Sequence, residues 1–437
     1  MISVTAAFDL IIQTVGRLDS ERIPLEMAVG RVLFQPISAD VDSPPHRKSL
    51  MDGYALNSAD INAGLREFEV IETIPAGHWP QCSLKTGQAA RIMTGAPVPD
   101  GADAVVMIEL TQSSDNNQSQ SPRVTIQVDS LTAGKHVAQQ ADNFCCGQTI
   151  FPEGHRIRAI DIGLLAEVGA AEVDVYLRPT MAVLATGNEL VECNQIPQRA
   201  QIRNSNAPML QAMGLKRRLP VTRLPIAGDN EADLQRQIEI GLQHDLLLMT
   251  GGVSAGLLDL VPSILQRIGV QQVFHKVDIK PGKPIWFGYF DRLDSAAGRS
   301  YVFGLPGNPV SSLVGFELFV STAIELLEGH QLEGAASPLP ESQIGRLAVD
   351  HQTRGGRPTF WPAKPCHAMK CADNPDPLND DQNDDQSVKA YRWFEPLNWK
   401  GSSDLLTLGQ SEGLIYFPAD KEDHNQGDLV TYYPIQK

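Results

Sequence analysis

The chain has 437 residues, 42 % of them hydrophobic, and that length predicts about three or four domains. Its 36 Lys and Arg against 52 Asp and Glu leave a formal net charge of −16, which argues against broad binding to nucleic acid or anionic membranes, because a phosphate surface would be repelled. No apolar run reaches the ~18 residues that span a bilayer.

At the N-terminus Val4, Ala7, Phe8, Ile11, Ile12, Val15 and Leu18 recur at helical spacing with no basic segment ahead of them. This predicts an amphipathic helix rather than a signal peptide, with Ser3 or Thr5 as its cap. Up to about Leu177 the chain is rich in Pro, Gly and Val, with short alternating runs such as Phe68–Ile74 and Val124–Val128. Small β modules on a helical support follow from that texture, with a helix around Ala159–Val168. The polar segment Ser113–Pro122 separates Asp103–Glu109 from Val124–Val128, and it predicts the tip of a long hairpin joining those two strands.

A different pattern begins at Pro179. Met181–Ala185 is a fully apolar run that ends at Thr186-Gly187. A helix is expected over Ala207–Met213, a strand over Val221–Ile226, and a helix over Glu231–Leu242 capped by Asp229. Asp245–Met249 is a further apolar run, ending in Thr250-Gly251-Gly252. Asp259–Ile268 reads as helix, Tyr301–Leu305 as strand, and Val310 to about Leu327 as helix. Short buried strands alternating with helices predict a parallel α/β sheet with its glycine-rich turns at the ligand-binding carboxyl edge.

From about Gly334 the texture becomes all-β, with strands expected at Arg346–Val349, Thr359–Trp361, Leu405–Leu408, Gly413–Phe417 and Leu429–Tyr433. Asp373, Asp376, Asp380, Asp381, Asp384 and Asp385 crowd the Ala372–Gln386 segment, which reads as a solvated loop. The six cysteines include no C-x-x-C pair, and the adjacent Cys145 and Cys146 have poor disulfide geometry, so reduced thiols of a cytoplasmic enzyme are expected. The domain plan is therefore residues 1–177 (helical support at 1–25 and 142–177 around a β module at about 26–141), an α/β domain at 178–331, and a β domain at 335–437.

Several turns carry chemistry. Thr250 to Gly256 (T-G-G-V-S-A-G) follows an apolar strand; its glycines let backbone N–H groups approach an anion, and Ser254 adds a hydroxyl. A plain β-to-α turn has the same composition. Gly252 to Gly256 also satisfies G-x-S-x-G, which would make Ser254 the nucleophile of a hydrolase with Asp278 or Asp291 and then His351. Against that, Thr250-Gly251 interrupt the run into the motif, and His351 falls in the β domain. Lys280-Pro281-Gly282-Lys283-Pro284 is a stiff turn whose two lysines suit a phosphate or oxyanion, or are simply solvated. Leu305-Pro306-Gly307-Asn308-Pro309 precedes a helix at the same edge, where the helix N-terminus adds positive potential. Glu189, Asp229 and Asp259 recur at these turns; carboxylates beside an anion site call for a cation between them, and Mg²⁺ is the usual one with phosphates, although Asp229 and Asp259 could equally cap helices.

Taken in order, these motifs resemble the molybdopterin molybdenumtransferase (molybdenum insertase) family, which includes the insertase domain of gephyrin. The matching residues are M-D-G-Y-A at 51–55, R-I-M-T-G-A at 91–96, G-A-D at 101–103 and Asp142. They continue with T-G-N-E-L at 186–190, R-N-S-N at 203–206, G-D at 228–229, T-G-G-V-S-A-G-L-L-D at 250–259, K-P-G-K-P at 280–284 and G-L-P-G-N-P-V-S at 304–311, then G-S-S-D-L at 401–405 and G-L-I at 413–415. The resemblance implies a multidomain fold: a three-layer, pterin-binding α/β domain, N-terminal mixed β and helical modules, and a small C-terminal β domain, in an elongated homodimer with an active site shared between subunits. It implies a cytoplasmic transferase of molybdenum cofactor biosynthesis, acting on adenylylated molybdopterin and molybdate with Mg²⁺ and releasing AMP. It also implies roles: Glu189 and Asp259 as metal ligands; Asp52, Thr94 and Asp142 as groups closing the site from the second subunit. Gly251, Gly252, Ser254, Asp229, Lys280, Lys283, Pro306, Asn308, Pro309, Asn204 and Ser205 would bind substrate. A non-catalytic or divergent pterin-binding scaffold is the alternative. The chain departs from the family pattern at Asn188, where an Asp is usual, at Leu257, where an acid is frequent, and at Ala207, where an Arg is common.

Overall fold

The computed structural model describes residues 1–114, 122–228, 230–252, 260–292, 298–331, 342–366 and 392–435. They form two compact units, residues 22–173 and residues 1–21 together with 174–437.

In the unit of residues 22–173, six strands make one sheet: β1 (Gly53–Leu56), β2 (Glu67–Ile74), β3 (Gln88–Ile92), β4 (Ala104–Met107), β5 (Thr111–Ser114) and β6 (Arg123–Ile126), in the order β4-β1-β3-β2-β6-β5. β2 and β3 run parallel, while β1 is antiparallel to both β3 and β4. Side-chain alternation sends Tyr54, Phe68, Ala89 and Val124 into one core and Ala55, Ile74, Ala90 and Val105 into another. The expected hairpin is built differently: β6 pairs with β5, not with the 103–109 run. A 3₁₀ turn at Ile108–Leu110 breaks that run, leaving β4 to pair with β1. The tip of the hairpin, residues 115–121, lies outside the described residues. The expected helix is present at Ala159–Glu167, where buried Asp161 accepts hydrogen bonds from the Arg158 main chain and guanidinium and contacts His155 Nε2 at 2.8 Å.

The second unit is built on a sheet of β7 (Met181–Ala185), β8 (Val221–Arg223), β9 (Leu246–Thr250), β10 (Gln271–His275), β11 (Trp286–Asp291) and β12 (Arg299–Leu305), in the order β8-β7-β9-β12-β11-β10. β8, β7, β9 and β12 are parallel; β11 and β10 extend the sheet antiparallel, two strands that periodicity did not reveal. Their sequences, Q-Q-V-F-H and W-F-G-Y-F-D, carry too little alternation to stand out. Every residue of β7 and β9 is buried, which is why both read as unbroken apolar runs.

Helices α1 (Val4–Thr14), α2 (Asn206–Lys216), α3 (Glu231–Gly241) and α4 (Leu260–Ile268) belong to this unit. Ser3 caps α1, its hydroxyl accepting from Ala6 N–H at 3.1 Å. Although the sequence groups α1 with the N-terminal region, its apolar face joins the core of the α/β sheet, with Phe8 and Phe319 rings 5.2 Å apart. The cap of α3 is Asn230, not Asp229: the Asn230 side chain accepts from Ala232 and Asp233 N–H, and Asp229 lies outside the described residues. The helical run Pro309–Leu327, 19 residues long, is apolar enough by composition to cross a bilayer, but 83 % of its apolar window is buried, so its character is that of a core helix.

The C-terminal residues close a five-stranded barrel of β13 (Gln343–Leu347), β14 (Thr359–Cys366), β15 (Trp393–Pro396), β16 (Gly413–Phe417) and β17 (Leu429–Pro434). Leu405–Gly409, expected as a strand, is a short helix because Asp404 caps it, accepting from Thr407 N–H and O–H at 3.1 and 2.7 Å. The acidic segment 372–386 is outside the described residues.

Phe8→Ala removes a side chain that is 1 % exposed and should destabilise the α/β unit by about 3–5 kcal/mol. Ile160→Ala, at a side chain 75 % exposed, should cost less than about 0.5 kcal/mol. Urea unfolding followed by circular dichroism measures both.

Candidate functional site

The parallel strands β7, β9 and β12 deliver their exits to one edge of the sheet. Thr186 N–H donates to Thr250 O at 3.0 Å and Gly251 N–H to Leu305 O at 3.3 Å, so the turns starting at 186, 250 and 305 lie side by side. Gly251 (φ 92°) and Gly252 (φ 61°) hold left-handed conformations, and a Cβ on Gly251 would stand 2.5 Å from Thr186 O. Only glycine lets these backbones approach so closely.

Asn206 binds the turns together. Its amide nitrogen donates to Thr250 Oγ1 at 2.8 Å and to Gly307 O at 2.7 Å, while its buried Oδ1 has no partner among the described residues. Sequence reading singled out its neighbours instead. Asn204 is buried and its side chain caps α2 by accepting from Ala207 N–H at 3.1 Å, whereas Ser205 is exposed. The available signal was a poor helix former at the first helical position, which is retained only where its side chain has other partners. Glu189 follows the β7 exit; its main-chain carbonyl accepts from Ile202 N–H at 2.8 Å, while its exposed carboxylate has no hydrogen-bond partner among the described residues. Ser254 and Asp259, like Asp229, fall outside them.

Lys280 and Lys283 stand beside a second feature, a cavity of about 530 Å³ between the 279–284 loop, Pro306 and Asn308, and the C-terminal barrel. Lys280 N–H donates to Pro358 O and its carbonyl accepts from Phe360 N–H at 2.8 Å, which fastens the loop to β14. Among the described residues the walls carry five cations, Lys280, Lys283, Arg354, Arg357 and Lys400, and no carboxylate. Burial, with Arg354 and Arg357 nearby, lowers the Lys280 ammonium pKa below the ordinary lysine value. Asn308 Nδ2 donates to Ser402 Oγ at 2.8 Å, joining the strand exit to the 401–404 turn, and Trp361 and Trp399 complete the wall at a ring separation of 5.0 Å. Lys280, Lys283, Pro306 and Asn308 were legible in the sequence; the barrel's contribution was not. Pro309 starts the helix that follows Asn308.

Among the described residues neither Asp278 nor Asp291 hydrogen-bonds to His351, and Ser254 lies outside them. His351 sits in the barrel domain between Trp361 and Phe417 with its Nε2 buried and unpaired, and burial lowers its pKa to about 4. Asp291 pairs with Arg299 instead.

In the unit of residues 22–173, Asp52 and Thr94 form a pair. Thr94 donates its N–H and O–H to the same carboxylate oxygen of Asp52 at 2.6 and 2.8 Å, and these bonds hold the carboxyl below the usual carboxylate range. Segment 44–52 gathers the expected residues. Ser49 N–H donates to Ala96 O and Leu50 N–H to His136 O, and Ala141 N–H reaches Pro44 O, one residue before exposed Asp142. Asp142 in turn accepts from Gln139 N–H at 2.6 Å. Asp103, by contrast, braces Ser58 through its N–H and O–H.

Comparison with known proteins places these features. Residues 2–169 match the family model described as MoeA N-terminal region (domain I and II), and residues 182–326 match the probable molybdopterin binding domain. A molybdopterin molybdenumtransferase of Staphylococcus epidermidis is 36 % identical over 336 residues, covering 75 % of this chain and 76 % of the relative. One from Staphylococcus aureus is 33 % identical over 334 residues, with coverage of 75 % and 76 %. Among solved structures, a molybdopterin biosynthesis MoeA protein of Pyrococcus horikoshii aligns at a TM-score of 0.75 and 25 % identity, covering 99 % of this chain and 100 % of that one.

Two outcomes test the geometry. Asn206→Asp keeps shape but removes both donors, so thermal or urea unfolding should show a loss of about 1–3 kcal/mol. An anion entering the cavity favours charged Lys280 and raises its lowered pKa, so sulfate binding should take up protons at alkaline pH as Lys280 begins to lose its proton. Calorimetry in buffers of different ionisation enthalpy measures that uptake, and Lys280→Met should abolish it.

Proposed function

The chain belongs to the molybdopterin molybdenumtransferase family, and on that basis we propose that it inserts molybdate into the dithiolene of adenylylated molybdopterin, with hydrolysis of the pyrophosphate link and release of AMP. The observation that carries this reading is the cavity whose described walls hold five cations and no carboxylate. Molybdate is a tetrahedral dianion and the other substrate holds a pyrophosphate, so a site that brings them together must first overcome their repulsion. Lys283 and the depressed-pKa Lys280 neutralise oxyanion charge from the loop, while Arg354, Arg357 and Lys400 do so from the barrel. Arginine suits this because its planar fork meets two oxygens at once. Ser402 and Asn308 orient the anion.

The pterin half of the substrate takes the exits of β7, β9 and β12. There Gly251 and Gly252 admit close backbone approach, and Asn206 fixes the spacing of the turns. Ser254, Asp229 and Pro309 complete this part of the assignment. Glu189, whose carboxylate has no partner among the described residues, is a hard oxygen donor that fits Mg²⁺, which takes one or two carboxylates and shares substrate phosphate oxygens. Asp259 is the second proposed ligand. When bound, the ion neutralises charge on the pyrophosphate.

For the remaining groups we propose a homodimer in which Asp52, Thr94 and Asp142 of one subunit face the α/β domain, residues 178–331, of the other. The Asp52 carboxylate supports this, since two hydrogen bonds fall on one of its oxygens and leave the second open to a ligand or partner. Cys82, Cys145, Cys146 and Cys193 are exposed thiols, which supports a reducing cytoplasmic location.

Purified protein given adenylyl-molybdopterin, Mg²⁺ and molybdate should release AMP only when molybdate is present; absence of molybdate-dependent AMP would overturn the reading. Arg357→Ala and Lys283→Ala should each raise the KM for molybdate roughly ten- to a hundredfold, the loss expected for one charged hydrogen bond. Asp259→Ala should remain folded and abolish AMP release, and wild-type turnover in that variant would remove Asp259 from the mechanism.

A further inference from the structure

Two histidines of the barrel domain face each other across a short antiparallel pairing. His351 is the register partner of His424, and Gln352 of Asp423. Both imidazoles close on one phenylalanine: His351 stacks on Phe417 at 4.9 Å between centroids and 22° between planes, and His424 meets the same ring at 4.5 Å. Trp361 completes the cluster, edge-on to His351 at 4.4 Å. The Nε2 atoms of both histidines are buried and have no partner among the described residues. A neutral imidazole can rest in such a place. An imidazolium there would hold a charged N–H away from both acceptor and solvent.

The pair also anchors part of the cationic cavity. His351 leads directly into Gln352, Arg354 and Arg357, which line the cavity, and so does Trp361. Main-chain bonds lay this segment along the one that ends in His424: Thr353 N–H donates to Glu422 O at 2.8 Å and Gly356 N–H to Ala419 O at 3.0 Å. The charged neighbours of the histidines are occupied with each other or with main chain. Asp350 accepts from Gln426 N–H at 2.7 Å, Asp423 accepts from the Gln352 amide at 2.9 Å, and Asp428 pairs with Lys421 at 2.6 Å. Glu422 lies beside Gly355, and Arg354 follows in the cavity wall. Burial, reinforced by His424, lowers the His351 pKa to about 4; burial and Lys421 lower that of His424, against a weaker opposing pull from the Lys421 main chain, Asp428 and Asp423.

We propose that His351 and His424 are positioning residues of the oxyanion cavity, a clamp that has to be neutral to hold the segment carrying Arg354 and Arg357 in the cavity wall. Acid then opens that wall. Each imidazole takes up its proton at the ordinary histidine value of about 6.5 once the cluster is open, and at a lower pH while it is closed. The closed clamp is therefore favoured above that value and is lost as pH falls through the interval below it. The direction is opposite to simple electrostatics. Acidification leaves the lysines and arginines charged and adds positive charge nearby, so a rigid wall would bind anions more tightly at low pH, not less. The inference rests on the oxyanion reading of the cavity and adds an acid limit to it.

Full-length protein titrated with sulfate in a calorimeter tests the idea, because sulfate stays a dianion across the range. Wild type should bind it roughly tenfold more weakly at about pH 5.5 than at about pH 7.5, the change expected when a proton or two is taken up as the clamp opens. The double variant His351→Phe, His424→Phe keeps aromatic rings in the cluster but cannot titrate there, so its affinities at the two pH values should agree. Each single variant should remove part of the acid loss. Hydrogen exchange, corrected for its intrinsic pH dependence, reads the clamp without any ligand: the Thr353 and Gly356 amides should lose protection over the same interval in wild type and keep it in the double variant. If wild-type affinity holds or rises toward acid pH and these amides stay protected, the clamp is refuted while the oxyanion reading stands. An acid loss that persists unchanged in the double variant refutes it as well. If the double variant does not fold, protection of the two amides in wild type and in His351→Phe decides the matter. If sulfate binds at neither pH, the oxyanion reading fails, and exchange at Thr353 and Gly356 alone upholds or overturns the acid-sensitive clamp.

Discussion

Five positive side chains around one cavity repel one another, and what holds them there is main-chain pairing. Lys280 donates to Pro358 O and accepts from Phe360 N–H, so the loop between β10 and β11 and the barrel strand β14 behave as one piece of backbone. Without that join Lys280 and Lys283 would be two solvated lysines on a turn. With it, Arg354 and Arg357 stand close enough to lower the Lys280 pKa. Like charges held together favour an anion between them, which is the electrostatic ground for the oxyanion role proposed above.

The strand exits of the α/β sheet depend on a different economy of space. Thr186, Gly251 and Gly307 lie within contact of each other because glycine has no Cβ and because Asn206 uses both amide hydrogens to hold two of the turns. Asn206 Oδ1, with no partner among the described residues, is then a buried acceptor at this edge. Asn204 is also buried, but its side chain is spent on capping α2. Two asparagines two positions apart thus have distinct tasks, one holding a helix and the other holding the site.

The Asp52–Thr94 pair shows how a local motif acquires meaning from register. M-D-G-Y-A and R-I-M-T-G-A are separate in the chain, but antiparallel pairing of Gly53 with Ile92 puts the residue before one strand beside the residues after the other. Both Thr94 donors fall on one carboxylate oxygen, which leaves the acid ionised and half available.

Much of the fold was written in local pattern. The fully buried strands Met181–Ala185 and Leu246–Thr250, the amphipathic helix Val4–Thr14 with its Ser3 cap, and the glycine turns at the sheet edge all follow from hydrophobic period and turn chemistry, which act over a few residues. The order of motifs singled out Lys280, Lys283, Asn308 and Glu189, of which the first three line the cavity. Other features depended on partners distant in sequence. Ile108–Leu110 turns away from its expected hairpin, Asn230 takes the cap expected of Asp229, and Leu405–Gly409 coils around Asp404. Arg354, Arg357, Lys400 and Ser402 join the cavity because a β domain dozens of residues away packs its backbone on the 280 loop. Residue type and spacing decide which turns can bind an anion; only long-range pairing of main chain decides which charges those turns will share, since that choice is made by contacts no short window contains.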